Sequence, residues 1–202
     1  MLLALLLTGH QAPAQASKPA ATLANTERAR YESAADYSER TRGLSVLVMK
    51  GGRAVFEQYQ NGHAADTPHM LASGTKSFSG VMAAAAVADG LLKLDEPVSQ
   101  TVTEWKSDPR KSKVTIRQLL SLTGGVEAGR VGRPPAYAEA ITFAPVADPG
   151  TKFEYGPAPF QIFGEVMRRK LAAKKETPLD YLKRRVLDPI GLRVAEWTHR
   201  DG

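Results

Sequence analysis

The 202-residue sequence contains no cysteine, which removes disulfides, thiol nucleophiles and cysteine-based metal sites together. Its four histidines are His10, His63, His69 and His199, and none stands in the His-Glu-x-x-His spacing of a zinc hydrolase. Neither a metal nor another cofactor is indicated. Long apolar runs are scarce: beyond a leucine-rich start at 1–7, no segment approaches the roughly 18 apolar residues that span a bilayer, so no transmembrane segment is expected. Negative charge is in deficit, with 21 acidic against 27 basic residues and a net charge of +6. A basic balance can serve nucleic acid. Here, however, Arg168-Arg169-Lys170, Lys174-Lys175 and Lys183-Arg184-Arg185 fall in or beside amphipathic helical patterns and read as solvated faces. No nucleic-acid partner is expected.

What is present is ordinary for a globular domain with a core: 43% hydrophobic residues, 24% charged, 17 Gly and 13 Pro. The leucine run followed by the small residues of Ala14-Gln15-Ala16 reads as a signal peptide over 1–16, leaving one domain over 17–202 that is periplasmic or secreted. Anionic envelope polymers are then nearer partners than DNA.

Thr26 to Arg40 has the pattern of a helix. Leu44 to Lys50 and Arg53 to Tyr59 are β-prone runs separated by Gly51-Gly52, the signature of a tight hairpin. A helix is expected from Ser73 to about Asp89, stopped by Gly90, and its alanines Ala83 to Ala86 suit a buried central position. Pro97 is placed at the first position of a short helix. Thr115 and Gln118 form a capping box whose helix ends at Thr123-Gly124-Gly125. The Gly- and Pro-rich stretch 127–150 reads as a surface connection or a partly helical flap. Phe160, Phe163, Met167 and Leu171 make a core-facing helical stripe, and Thr177-Pro178 opens another helix with Leu179, Leu182 and Val186 inward.

Ser73-Gly74-Thr75-Lys76 carries the most chemistry. Helical geometry brings residues three apart onto one face, so the Lys76 amine can lie against the Ser73 hydroxyl as its activating partner. A helix N-terminus also favours developing negative charge. The same four residues equally describe a serine N-cap followed by a solvated lysine. A Ser-His-Asp triad is disfavoured, because His69 is only four residues before Ser73 and no Gly-x-Ser-x-Gly elbow surrounds a nearby serine. Gly74-Thr75-Lys76-Ser77 lacks the glycine that a phosphate loop requires before its lysine.

Taken in order, the segments resemble the serine β-lactamase-like family, which includes class C β-lactamases, D-alanyl-D-alanine carboxypeptidases, related esterases and 6-aminohexanoate-dimer hydrolases. The resemblance is collinear over about 44–192. It rests on the Gly-Gly hairpin, Leu71-Ala-Ser73-Gly-Thr-Lys76-Ser-Phe78, Gly90-Leu-Leu-Lys-Leu-Asp95, Val114 to Gly124, Pro149-Gly-Thr-Lys-Phe-Glu-Tyr155 and Leu187-Asp-Pro-Ile-Gly-Leu192. It implies a mixed α/β (α+β) fold of the β-lactamase/transpeptidase type, with an antiparallel sheet flanked by helices plus a helical subdomain. It also implies a serine hydrolase acting through an acyl-enzyme: Ser73 as nucleophile, Lys76 as its partner, and Tyr155 in the place of the family's Tyr-x-Asn tyrosine. A lysine of ordinary pKa near 10.4 is a poor base at neutral pH, so that role calls for burial or nearby positive charge. The implied substrate is a small ester or amide, with cell-wall-derived molecules among the candidates.

Two departures qualify the resemblance. Pro157 stands where the family carries asparagine, and proline has no side-chain amide to hold a substrate carbonyl. This shifts the expectation toward an esterase-like substrate, with Gln161 one turn away. No Lys-Thr-Gly follows Tyr155, so the resemblance implies the N-terminal part of a longer domain whose C-terminal strands are missing. A non-catalytic module binding penicillin-like ligands or cell-wall peptides, or an inactive gene fragment, remains an alternative.

Overall fold

A computed structural model describes residues 25–197; the signal peptide read at 1–16 lies outside the described residues. The chain divides into two compact units that meet in sequence at residues 67 and 68.

In the first unit, helix α1 (Asn25–Arg40) has Glu27 in its first turn and Arg40 in its last, both favourable to the helix dipole. An Arg28–Glu32 pair at 2.8 Å adds modest i,i+4 support. Strands β1 (Ser45–Lys50) and β2 (Arg53–Tyr59) pair antiparallel with Lys50 opposite Arg53. Gly51 and Gly52 have φ of 58° and 76°, the paired left-handed conformation of a type I′ turn. The register shifts between Val48, opposite Phe56, and Met49, opposite Ala54, so the ladder carries a bulge at Val55. Alternation turns Val46, Val48 and Phe56 to one side and leaves Leu47 and Met49 exposed. A two-stranded ribbon is marginal by itself. Helix α1 covers its inward side, with the Tyr31 and Phe56 ring centroids 5.8 Å apart and Ala35 fully buried.

The second unit is helical. Helix α2 spans Ser77–Ala88, α3 Ile116–Leu120, α4 Tyr137–Ala140, α5 Ala158–Leu171 and α6 Pro178–Leu182, which continues as a π-turn over Lys183–Leu187. The central helix is α5, not α2. Ile162, Phe163, Val166, Met167 and Leu171 are all fully buried, whereas α2 buries only Met82, Ala83 and Ala86 and leaves Val81 and Val87 exposed. Small side chains permit close packing on every side but do not require it; the broad apolar stripe of α5 does. Glycine makes one approach possible: a Cβ on Gly164 would collide with the Tyr137 ring.

Sequence-readable caps are present. Thr115 Oγ1 accepts from Gln118 N at 3.2 Å while Thr115 N donates to Gln118 Oε1 at 3.0 Å, and Thr177 caps α6 through Asp180 N at 3.1 Å. Two short expectations change. Helix α3 ends at Leu120, because Leu122 adopts φ 60° before the glycines are reached. Pro97 is extended (ψ 135°) and bridges Thr115, serving as the N-cap of a single 3₁₀ turn.

Lys174, Lys175 and Lys183 are exposed, as a solvated face requires, but other members of the basic clusters are ion-paired. Arg169 forms a fork to Glu104 at 2.7 and 2.8 Å and also reaches the buried Glu165 at 2.6 Å. Lys170 meets Glu96 at 2.7 Å, and Arg185 meets Asp89 at 2.7 Å. These pairs tie α5 and α6 to their neighbours, which accounts for much of the local positive charge. Among the described residues, no helix is long and apolar enough to cross a membrane.

Candidate active site

Ser73 lies in a 3₁₀ turn, Ala72–Lys76, that leads into α2, rather than in the first turn of an α-helix. Glycine and threonine favour α-helix weakly, and Thr75 Oγ1 donates back to the Ala72 carbonyl at 2.7 Å, which competes with α-helical bonding. The consequence for chemistry is direct. With three residues per turn, positions i and i+3 eclipse one another, so Lys76 stands over Ser73. Its Nζ donates to Ser73 Oγ at 3.0 Å. The serine makes no capping bond, so the N-cap alternative is not what the structure adopts. Immediately before it, Ala72 has φ 46°, a conformation that is strained for an L-residue bearing a Cβ.

Tyr155 reaches the same place from far along the chain. It ends an extended stretch pinned at both sides: Glu154 N donates to the Leu122 carbonyl at 2.9 Å, and Ala158 N donates to the Ala128 carbonyl at 2.9 Å. Gly156 permits the second attachment, since a Cβ there would overlap the Ala128 backbone. Lys76 Nζ sits 5.2 Å from the Tyr155 ring centroid. Hydrogen bonding to Ser73 first, and to Lys76 second, holds the phenol below its ordinary value of 10.0. Sequence reasoning singled out Ser73, Lys76 and Tyr155, and the fold brings all three together.

The surroundings are open and apolar. Ser73 is exposed, Tyr155 is 44% exposed, and Met70, Leu71 and Phe153 are exposed large side chains in the same two segments. Sequence reasoning passed over these, as it did Ala72 and Gly156. A glycine directly after a motif tyrosine was the available signal, because glycine in an extended run often marks a close backbone approach. Pro157 is buried at the N-cap of α5 with φ −79°, which proline adopts without strain. Gln161 sits in the first turn of that helix, half-buried, with its N–H on the Pro157 carbonyl at 3.2 Å.

This arrangement can be set beside known proteins. Protein flp of Staphylococcus aureus (strain NCTC 8325 / PS 47) is 24% identical over 168 residues, which are 73% of this chain and 33% of that protein. The crystal structure of a candidate beta-lactamase from Bacteroides dorei DSM 17855 superposes with a TM-score of 0.68 at 25% identity, covering 81% of this chain and 51% of that one. A class C beta-lactamase from Rhodobacter sphaeroides gives a TM-score of 0.60 at 19% identity, covering 84% and 50%, and attests the fold alone. The chain thus spans a third of the length of the first relative and about half of the two solved structures. The family model described as Beta-lactamase matches residues 23–201, which include all of the described residues and both of the segments that meet at Ser73. The chain with this serine, lysine and tyrosine in contact therefore belongs to the beta-lactamase family.

Proposed function

We propose that the protein is a serine hydrolase that cleaves an ester or amide through an acyl-enzyme, with esterase-like substrates favoured. The observation that carries this reading is the contact of Ser73 Oγ with Lys76 Nζ at 3.0 Å beside a phenol of depressed pKa. Lys76 donates to the serine oxygen, which leaves the serine's own hydrogen for the Tyr155 oxygen. Ser73 Oγ attacks the carbonyl carbon as its proton passes to the tyrosine and lysine pair. The tetrahedral oxyanion collapses, the C–O or C–N bond breaks, and the leaving group takes up that proton. Water then repeats the sequence on the acyl-serine, releasing the acid and restoring Ser73. The turn's own bonds begin with Gly74 N–H on the Leu71 carbonyl at 2.8 Å, so the Ser73 N–H stays outside that ladder and serves as an oxyanion donor.

Pro157 favours an ester over an amide, because it offers no side-chain amide to orient a substrate amide carbonyl. Should the leader at 1–16 direct export, cell-wall fragments are among the substrates the protein would meet; the N-terminal mass of the product recovered outside the cytoplasm tests this.

A fluorophosphonate probe read by intact mass tests the nucleophile in wild type, Ser73→Ala and Lys76→Ala. One adduct per chain that needs both residues, with turnover of p-nitrophenyl esters, is the expected result. Stoichiometric labelling without turnover would favour a binding module. A soluble, cooperatively folded wild type that fails to label would end the hydrolase reading.

A further inference from the structure

Residues 130–133 form a β-turn in which Arg133 N donates to the Arg130 carbonyl at 3.1 Å and Gly132 adopts φ 80°. Glycine supplies the positive φ that such a turn needs at its third position, and the turn holds its first and fourth residues within about 7 Å. Arg130 and Arg133 are therefore neighbours by construction. Both are exposed, and both line a groove of about 320 Å³ with Pro134, Pro135, Phe143 and the carboxylates of Glu127 and Glu139. Elsewhere in this unit Arg117, Arg169, Arg184 and Arg185 each hold a carboxylate at 2.7 to 2.8 Å. Arg130 and Arg133 hold none among the described residues, and Glu127 and Glu139 form no ion pair with them. Each of the two exposed arginines offers a planar guanidinium fork that matches the bidentate geometry of a carboxylate.

The groove adjoins the catalytic tyrosine's segment. A Cβ on Gly129, one residue before Arg130, would lie 3.5 Å from Pro157 Cγ and 3.2 Å from Phe143 Cε2, and Ala128 is bonded to Ala158. The wall that carries the arginines is thus attached to Tyr155-Gly156-Pro157.

We propose that this groove is an anion subsite that receives a carboxylate carried by the substrate away from its scissile bond. This rests on the hydrolase reading above. The apolar ring of Phe143 and the two prolines contact the intervening hydrocarbon, while Arg130 and Arg133 select the charge.

The test compares mono-p-nitrophenyl esters of succinate, glutarate and adipate with p-nitrophenyl butyrate and hexanoate, using wild type and the Arg130→Gln/Arg133→Gln double variant. Wild type should prefer at least one of the anionic esters by roughly ten- to a hundredfold in kcat/KM, the range set by charge-assisted hydrogen bonds. The double variant should lose that preference through KM while its rate on the neutral esters is unchanged. Equal rates on neutral and anionic esters, or a preference that survives the double substitution, would overturn the subsite. In parallel, glutarate is titrated by NMR into Ser73→Ala with and without the arginine substitutions. Arginine-dependent binding there, with no ester hydrolysed by wild type, would keep the anion groove and reject the hydrolase reading; binding indifferent to the arginines would reject the groove.

Discussion

Tyr155 is the residue whose acid-base character the fold alters at the site. A phenol below 10.0 is present as phenolate at a lower pH than an ordinary tyrosine, so ester hydrolysis should rise with pH through that lowered value. Tyr155→Phe should remove this limb of the kcat/KM profile, measured between about pH 6 and 10 on p-nitrophenyl acetate; an unchanged limb would assign the titration to another group. Lys76→Ala should lower kcat by about 10²- to 10⁴-fold, the range of positioned proton-transfer groups. The Ser73 and Lys76 pair was legible in the sequence because a three-residue spacing is a local matter of helical geometry. Tyr155 was legible only through its motif, since no periodicity connects it to Ser73. The left-handed Ala72 and the tight fit at Gly156 were not legible, because each is imposed by neighbours distant in sequence.

At the scale of elements, Asp89 caps α2 at the end where the helix dipole disfavours a carboxylate. The compensation comes from α6 and its π-turn: Arg185 donates to Asp89 at 2.7 and 2.8 Å, and Tyr181 Oη donates at 2.8 Å. The Arg185 bond above all, then Tyr181, lowers the Asp89 pKa from 3.8 to about 2. A depressed carboxylate pKa stabilises the fold above its unfolded value and ceases to do so as pH falls through the folded one. Asp89→Asn should therefore lower the urea midpoint at pH 7, and the difference from wild type should fade between pH 3.8 and about 2. A difference that persists undiminished to the acid end would show that charge is not its source. Tyr181→Phe, which removes from a buried ring one hydrogen bond to a charged carboxylate, should destabilise by about 1.5–3 kcal/mol in urea unfolding at pH 7. A second element-scale expectation concerns Gly156→Ala: the new methyl meets the Ala128 backbone, so fluorophosphonate labelling at Ser73 should slow because Tyr155 is displaced. Element boundaries marked by caps, such as Thr115 with Gln118, could be read directly. Which helix would be central could not, because the composition of α2 and the periodicity of α5 are both compatible with burial until the neighbours are known.

For the molecule as a whole, the main core belongs to the unit that starts at residue 68, where Trp105, Phe163 and Tyr181 are its largest buried side chains. Trp105 also donates its indole N–H to the Ile141 carbonyl at 2.7 Å, joining the turns after α2 to the segment after α4. Trp105→Ala should cost about 3–5 kcal/mol, a large part of a typical domain's total stability, and should be seen as a marked fall in thermal midpoint. The sequence by itself determined the hairpin, the caps, the apolar stripe of α5 and the Ser73 and Lys76 pairing, because each depends on φ preferences or on contacts within a few residues. Only the tertiary structure decided that the turn at Ser73 is 3₁₀, that Arg169, Lys170 and Arg185 are ion-paired struts, and that Arg130 and Arg133 share a groove beside the Tyr155 segment. Those outcomes depend on which backbone carbonyls and carboxylates the fold brings near, and a linear pattern does not encode that choice locally.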